Sequence, residues 1–316
     1  MNYQNIKNKE LFHSIKYDDI DVDWSKMAEP QPDHSDVQDI NKVAEILFDY
    51  KKPSFPGQKQ LLDGKVGIFH TSNQYGGNVK ILGPTSKYLY HLNEINDNFL
   101  KVSPKYYNSV REQLDVFVPT YDYDAKESAG LGCTCGPVCK AYENSVKEVD
   151  VPAIGVTSTV NNYISAIDGI THETYHQRLY QIGVEMEESN LQLIGNDPTD
   201  LYHSTIRYDI MRPMTACVQA IYSYTAVTEL YGDIIRYCLQ NEEELERWGA
   251  ASLFSTSAYN VLRIYRGRDL MNNDLVTKTD AGAAYFDGFY KYLDRVINET
   301  VELMEPYQKE FNLVWK

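Results

Sequence analysis

The spacing of hydrophobic and polar positions changes along the chain, from short apolar runs to helical periodicity. The short runs, bounded by turn residues, predict strands over residues 65–70, 78–82, 116–120 and 151–160. We expect the first two to form a hairpin, because the turn signal Tyr-Gly-Gly at residues 75–77 lies between them. Helical spacing in the same half predicts helices over residues 37–50, 88–100 and 104–114.

Beyond residue 212 nearly all of the chain shows helical spacing. The predicted helices cover residues 213–231, 233–239, 242–264 and 281–307 and are joined by short polar or glycine-containing turns. The predicted fold class is therefore α+β and predominantly helical, with small β elements of the N-terminal half packed on a helical layer. Because no repeat or clear linker divides the chain, we expect a single globular domain over residues 1–316.

A long helix predicted to begin at residue 161 carries the sequence HETYH at residues 172–176. Two histidines four positions apart lie on one face of a helix, where both can bind one metal ion. His172 and His176 are therefore candidate metal ligands, and Glu173 is a candidate base or orienting group beside them. We expect one side of this site to be buried, because the neighbouring stripe is mostly apolar: Ile164, Ile167, Thr171, Tyr175, Leu179 and Ile182.

Charge and composition limit the partners of the chain. Its net charge of −15 argues against nucleic acid, which needs a surplus of lysine and arginine on one face, and suits a cationic peptide better. No apolar window is long enough to span a bilayer, and the N-terminus lacks the pattern of a secretory signal. We therefore expect a cytoplasmic protein without a membrane partner.

Three of the five cysteines form a short cluster at Cys133, Cys135 and Cys139. The cluster lies within residues 125–150, which we interpret as an insertion or flap. Its spacing matches neither a paired zinc knuckle nor a known iron–sulfur run. Free thiols, a metal site short of one ligand and a redox pair all stay open.

The segment LYHSTIRYDIMRPM at residues 201–214, followed by AIYSYTAVTEL at residues 220–230, resembles the HEXXH-motif peptide modification proteins. That family is encoded near ribosomally made peptide natural products. In it, a helical metal motif is followed by arginines around Arg-Pro-Leu and then by a helix of the type His-Gly-Val-Tyr-Ala-Phe. The resemblance covers about residues 158–231.

This resemblance implies an iron(II)- and 2-oxoglutarate-dependent oxygenase that hydroxylates side chains of a precursor peptide. By the same resemblance, His172 and His176 would bind the iron. Arg212 would pair with the distal carboxylate of 2-oxoglutarate, and Arg207 is the alternative residue for that role. An arginine suits the role because its guanidinium matches a carboxylate through two parallel hydrogen bonds.

The chain departs from the family pattern at the third metal ligand. The position usually occupied by histidine is Gln219, and glutamine is an uncommon ligand for iron or zinc. Glu229 and His203 are the alternative ligands. Glu229 lies about 15 Å beyond Gln219 on the same predicted helix, at about 1.5 Å per residue, so both cannot bind one ion.

Two other functions fit the same residues. A zinc metallopeptidase would use His172 and His176 as ligands and Glu173 as the general base toward a water molecule. A non-catalytic, peptide-binding relic of the family would keep the motif without a metal, which suits the missing third histidine. Of these functions, only the oxygenase explains Arg212. The sequence leaves open the peptide substrate, the residue modified and the oligomeric state.

Overall fold

A computed structural model of the chain describes residues 60–62, 66–68, 79–81, 90–114, 116–122, 133–135, 154–158, 163–181, 193–272 and 275–314. The helix predicted over residues 37–50 and Cys139 lie outside the described residues. The chain divides into two compact units. The described residues up to Gln181 belong to the N-terminal unit, and those from Leu193 onward belong to the C-terminal unit. The single domain over residues 1–316 stays a prediction.

The N-terminal unit contains a mixed sheet. Its described strands are β1 (Gln60–Leu61), β2 (Val66–Ile68), β3 (Val79–Ile81), β4 (Val116–Asp122), β5 (Cys133–Cys135) and β6 (Ile154–Ser158). The strand order is β1–β2–β4–β6–β5, and β3 also pairs with β4. Strands β2 and β6 run parallel to β4, whereas β3 runs antiparallel to it. The long strand β4 is therefore the centre of the sheet.

The hairpin predicted between residues 65–70 and 78–82 is wrong, although both strands are present. Strand β2 pairs with Val116 and Phe117 at the start of β4, and β3 pairs with the last residues of β4. The two short strands thus follow one another along the same side of β4, opposite β6. The turn residues between the two strands carry only local information. They could not indicate that both strands form backbone hydrogen bonds with the longer strand β4.

The described helices of the N-terminal unit are α1 (Tyr90–Val102), α2 (Pro104–Gln113) and α3 (Tyr163–Gln181). Ser103 separates the first two, because its hydroxyl accepts a hydrogen bond from the Tyr106 N–H at 3.4 Å. Pro104 then occupies the first helical position, where a backbone N–H would have no partner in the helix. Helix α3 contacts β5, β6, α1 and α2, so the helix with the HETYH sequence is the central support of this unit.

In the residues that the structure describes, the regular elements of the C-terminal unit are helices and one two-stranded ribbon. Its elements are β7 (Tyr202–His203), β8 (Met211–Arg212), α4 (Met214–Gln240), α5 (Glu242–Trp248), α6 (Ala250–Asn272), α7 (Asp280–Met304), a 3-10 turn (Glu305–Tyr307) and α8 (Gln308–Phe311). Helix α4 is mostly buried and contacts α5, α6, α7 and β7. The α+β, predominantly helical fold class is confirmed. None of the described helices has both the length and the apolar composition needed to cross a membrane.

Two glycines explain two of the helix boundaries that the sequence misplaced. The break predicted after residue 231 is wrong, because Gly232 lies inside the continuous helix α4. A glycine inside a helix costs about 1 kcal/mol relative to alanine, which the burial of Ile234 and Ile235 on the following turn outweighs. Gly249 instead has a φ of 74° and ends α5 within the helix predicted over residues 242–264.

One side chain fixes the ribbon of the C-terminal unit to the connection between α6 and α7. The Asn196 amide nitrogen donates hydrogen bonds to the Tyr202 hydroxyl at 2.9 Å and to the Leu275 carbonyl at 2.6 Å. The amide oxygen of the same residue accepts a hydrogen bond from the Thr277 N–H at 2.9 Å. This largely buried amide therefore links strand β7 to the segment before α7, which also forms backbone hydrogen bonds with Leu193 and Gly195.

Candidate functional site

Helix α3 carries the HETYH sequence beside a buried stripe, as predicted. The described positions of that stripe, Ile164, Ile167, Thr171 and Tyr175, are all buried. His172 and His176 lie on the neighbouring stripe and are partly exposed. A metal ion bound by these histidines would therefore be enclosed by the protein on one side and accessible on the other.

The two histidine rings converge on one point in space. The Nε2 atoms of His172 and His176 lie 3.0 Å apart, and the ring planes are 89° to one another. Two nitrogens 3.0 Å apart, each about 2.1 Å from one ion, subtend an angle of about 90° at that ion. This is the angle between adjacent positions of an octahedron. The same separation suits a hydrogen bond between the rings, so the pair also fits a metal-free state.

Glu173 is buried next to this pair. Its side chain is 2% exposed, and its Oε1 atom lies 3.8 Å from the Nε2 atom of His172. That distance places the carboxylate close to the atoms that would bind beside His172, where it could accept a proton or orient a ligand. The role of Glu173 as base or orienting group stays a prediction, and the geometry is compatible with it.

Arg178 is a buried cation on α3 that the sequence analysis missed. The residue is 8% exposed, and its Nη1 atom donates a hydrogen bond to the Tyr175 hydroxyl at 2.9 Å. The ring of Tyr106 from α2 packs against the Tyr175 ring at 5.6 Å. An arginine three positions after a residue of the apolar stripe was the signal that could have revealed it. These contacts hold the buried face of α3 in place beside the histidines.

Arg207 and Arg212, the predicted partners of 2-oxoglutarate, both lie in the C-terminal unit. Arg207 is exposed and donates two hydrogen bonds to the Asp209 carboxylate, at 2.9 and 2.8 Å. Arg212 is partly exposed, and it forms no ion pair with any residue that the structure describes. Of the two, Arg212 therefore has the guanidinium that an incoming carboxylate could pair with more directly.

His203, an alternative metal ligand, lies on the same ribbon as Arg212. Tyr202 is directly opposite Arg212 in the pairing of β7 with β8, and His203 is opposite Met211. Because successive residues of a strand point to opposite faces, His203 and Arg212 lie on opposite faces of the ribbon. The exposed imidazole of His203 is thus separated from the proposed cosubstrate arginine by the ribbon itself.

Gln219 and Glu229 are both buried in α4, with 5% and 8% exposure. The Glu229 carboxylate accepts hydrogen bonds from the Tyr292 hydroxyl at 3.2 Å and from Arg295 at 3.0 Å, and it is therefore engaged within the C-terminal unit. Among the described residues, no group of three or more histidine, cysteine, aspartate or glutamate side chains could hold a metal ion. Since α3 and α4 belong to separately described units, the third ligand stays a prediction.

The cysteines divide into two groups. Cys133 and Cys135 lie on β5, which pairs with β6, so part of the predicted insertion or flap at residues 125–150 belongs to the sheet. Cys217 and Cys238 are buried in α4, and burial raises the pKa of each thiol to about 11. Both thiols of α4 are therefore protonated at neutral pH and are poor metal ligands there.

No model of a known protein family matches the chain, and no curated protein matches it either. The resemblance to the HEXXH-motif peptide modification proteins therefore stays a prediction.

Proposed function

We propose that the chain is an iron(II)- and 2-oxoglutarate-dependent oxygenase that hydroxylates, or otherwise oxidises, a side chain of a ribosomally made precursor peptide. The observation that carries this proposal is the 3.0 Å separation of the Nε2 atoms of His172 and His176. Two imidazoles at adjacent octahedral positions leave room for one more protein ligand, for 2-oxoglutarate and for oxygen.

Each residue has a defined task in this proposal. His172 and His176 bind the ion through their Nε2 atoms, and Glu173 orients what binds beside them. Iron(II), when bound, lets 2-oxoglutarate and oxygen react, so that one oxygen atom enters succinate as carbon dioxide leaves and the other enters a C–H bond of the peptide. Arg212 pairs with the distal carboxylate of 2-oxoglutarate, a contact worth about 2 to 3 kcal/mol.

Gln219 is the proposed third ligand, with Glu229 and His203 as alternatives. Glu229 already accepts hydrogen bonds from Tyr292 and Arg295. Its carboxylate would have to break the ion pair with Arg295 in order to bind a metal. His203 is exposed on the ribbon face opposite Arg212. Gln219 is proposed because it occupies the position that the resemblance assigns to the third ligand.

The partner in this proposal is the precursor peptide, which is made on ribosomes. We therefore place the activity in the cytoplasm. Neither nucleic acid nor a membrane has a role in the reaction.

A zinc metallopeptidase is the second candidate function. It is favoured by the Glu173 carboxylate, which lies 3.8 Å from the Nε2 atom of His172, where a general base would face a water molecule. In that case Glu173 would take a proton from the water as it attacks a peptide carbonyl. The metal-free relic is the third candidate, because the two imidazoles are also close enough to share a hydrogen bond.

One experiment separates the three functions. The purified chain is reconstituted without oxygen with iron(II), 2-oxoglutarate and the peptides encoded beside the gene, and oxygen is then admitted. If the chain is the oxygenase, the peptide gains the mass of an oxygen atom or loses hydrogen. Succinate then forms in the same amount as the modified peptide. Cleaved peptide in a parallel reaction with zinc and no 2-oxoglutarate would replace the proposal by the peptidase. If the chain binds neither iron(II) nor zinc, the metal-free, peptide-binding function is the one that remains.

A further inference from the structure

A cluster of arginine and tyrosine side chains forms one surface of the C-terminal unit. The loop between β7 and β8, helix α4 and helix α6 each contribute to it. Its members, which we call the arginine–tyrosine surface, are Tyr208, Tyr224, Tyr259, Arg263 and Arg266. None of these residues has a task in the proposed oxygenase reaction.

The members of the surface contact one another in a continuous series. The guanidinium carbon of Arg263 lies 4.0 Å from the centre of the Tyr259 ring and 5.3 Å from that of Tyr224. The guanidinium carbon of Arg266 lies 5.5 Å from the centre of the Tyr208 ring. The rings of Tyr208 and Tyr259 are 6.4 Å apart, and these residues are 40% and 43% exposed. These contacts join the loop between β7 and β8 to helix α6, and they leave two tyrosine rings partly exposed to solvent.

The two arginines of this surface differ from most other arginines of the same unit. Ion pairs with described carboxylates are formed by Arg207, Arg236, Arg247, Arg268 and Arg295. Arg263 and Arg266 form none with any described residue, in a chain whose net charge is −15. Arg266 is exposed and Arg263 is partly exposed, so carboxylates of another molecule could pair with both guanidinium groups.

We propose that the arginine–tyrosine surface binds an acidic segment of a partner polypeptide. Carboxylates of the segment pair with Arg263 and Arg266, and its apolar or aromatic side chains pack on the rings of Tyr208 and Tyr259. Arginine and tyrosine are the residue types enriched at the energetic centres of protein interfaces. The overall negative charge of the chain favours a cationic partner, whereas the two arginines make this surface locally positive. The proposal does not depend on the oxygenase activity.

A nucleic acid is the competing partner, since bases stack on tyrosine and phosphates pair with arginine. The overall charge of −15 disfavours it, because a single strand carries a charge at every phosphate along its length. A short acidic segment carries only a few charges, and the two arginines can neutralise them within a screening length of about 8 to 10 Å. The observations therefore favour the peptide.

The test measures fluorescence anisotropy of a labelled peptide that alternates glutamate and tyrosine, titrated with the full chain at low ionic strength. A peptide that alternates lysine and tyrosine and a single-stranded oligonucleotide of the same length are the other two probes. We expect the glutamate peptide to bind and its affinity to fall as salt is added. Failure of the glutamate peptide to bind, or tighter binding of the oligonucleotide, would overturn the proposal. The lysine peptide reports attraction to the net charge of −15, and its binding should not depend on Arg263 and Arg266.

Variants locate the binding on the surface. Replacing both arginines, Arg263→Gln with Arg266→Gln, should weaken binding of the glutamate peptide by about tenfold or more. The matched control Arg236→Gln removes one charge from a partly exposed, ion-paired arginine of α4 and should change the affinity by less than about twofold. If the double variant does not fold, the exposed Arg266→Gln alone should show a loss of about threefold or more. An equal loss in Arg236→Gln would mean that only net charge matters and would overturn the proposal.

The chain has an acidic N-terminal segment that could compete for the same surface. A variant with Asp18, Asp19, Asp21 and Asp23 replaced by asparagine tests this. If the glutamate peptide binds the parent chain and this variant alike, the surface is available to a partner. If only the variant binds it, the occupant is the N-terminal segment of the chain itself, and the proposal of a separate partner is wrong.

Discussion

The carboxylate of Glu229 on α4 accepts a hydrogen bond from Arg295 on α7 at 3.0 Å, which makes this pair a direct polar link between the two helices. Tyr292 of α7 donates to the same carboxylate at 3.2 Å. Because the Glu229 side chain is only 10% exposed, its removal takes a largely buried acceptor away from both donors, although Arg295 keeps a second acceptor in Glu299 at 3.4 Å.

Glu229→Ala should therefore lower the free energy of unfolding by about 1 to 2 kcal/mol, with the partly exposed Arg295 recovering some hydration. Urea unfolding followed by circular dichroism measures the change. Asp287→Asn, which removes an exposed ion pair with Lys291, is the control and should cost less than about 0.5 kcal/mol. Loss of bound metal in Glu229→Ala at unchanged stability would instead make Glu229 a ligand.

His172→Ala and His176→Ala should each abolish stoichiometric binding of iron(II), because either change removes one of two converging nitrogen donors. Elemental analysis of protein loaded and washed without oxygen provides the measurement. His203→Ala is the control, because this exposed imidazole should not be needed for iron(II) binding. Unchanged metal content in the double variant His172→Ala/His176→Ala would place the metal elsewhere, with the cysteine cluster of residues 133–139 as the first region to test.

Gln219→His should raise the affinity for iron(II), because imidazole is a stronger ligand than a neutral amide oxygen. Competition with a chelator under anaerobic conditions measures this affinity. Gln219→Leu, of similar size, is the matched variant without a donor atom and should lower the affinity. If neither change alters the metal affinity, Gln219 is not the third ligand, and replacement of Glu229 or His203 should then cause the loss.

The Asp209 carboxyl should titrate far below its ordinary range. Hydrogen bonds from Arg207 are the largest cause, the charges of Arg207 and Arg212 add to it, and together they lower the pKa from 3.8 to about 2. A carboxyl with a lowered folded pKa stabilises the fold above its unfolded pKa, and this contribution is lost as the pH falls from about 4 to about 2.

Arg207→Gln should return the pKa of Asp209 toward 3.8, as followed by NMR titration of the carboxyl carbon. Asp197 is the internal control. Its pKa is lowered by hydrogen bonds from the side chain and backbone of Thr199, so the substitution should not move it. A pKa of Asp209 that stays near 2 in Arg207→Gln would show that Arg207 is not the cause.

Gly267→Ala should destabilise the C-terminal unit, because a Cβ atom there would lie 2.7, 2.9 and 3.0 Å from three side-chain carbons of Ile221 on α4. We expect a loss of about 1 to 2 kcal/mol after the gain in helix propensity is subtracted. Gly232→Ala is the matched control, since the nearest atom to its Cβ would be 3.6 Å away. That change should be neutral or stabilising by up to about 1 kcal/mol in the same thermal unfolding measurement. Equal losses in both variants would show that close approach of α4 and α6 is not the cause.

The features that the sequence predicted well depend on residues close together in the chain. The buried stripe of α3 and the facing of His172 toward His176 follow from helical periodicity alone. The boundary between α1 and α2 follows from the Ser103-Pro104 pair. These are local effects, and tertiary contacts only reinforce them.

Other features depend on contacts that no local pattern contains. Strands β2 and β3 pair with β4 rather than with each other, because β4 offers both of them a longer edge. Gly232 and Gly249 look alike in the sequence, yet packing keeps one inside a helix and a positive φ places the other at a helix end. The arginine–tyrosine surface was hidden for another reason. With 26 tyrosines in the chain, Tyr208 and Tyr259 did not stand out until the fold brought them beside Arg266 and Arg263 respectively.

The amide of Asn196 holds β7 and the segment before α7 with three hydrogen bonds, so the base of the β7–β8 ribbon is fixed independently of the loop at its tip. The exposed residues 207–209 can consequently accept substitutions while the helices behind them keep their positions, whereas Ser204 and Ile206 of the same loop are buried. Because Tyr208 lies in that loop, related chains could evolve different recognition by exchanging a single short peptide. The loop is for the same reason a practical position for grafting a new binding sequence onto this scaffold.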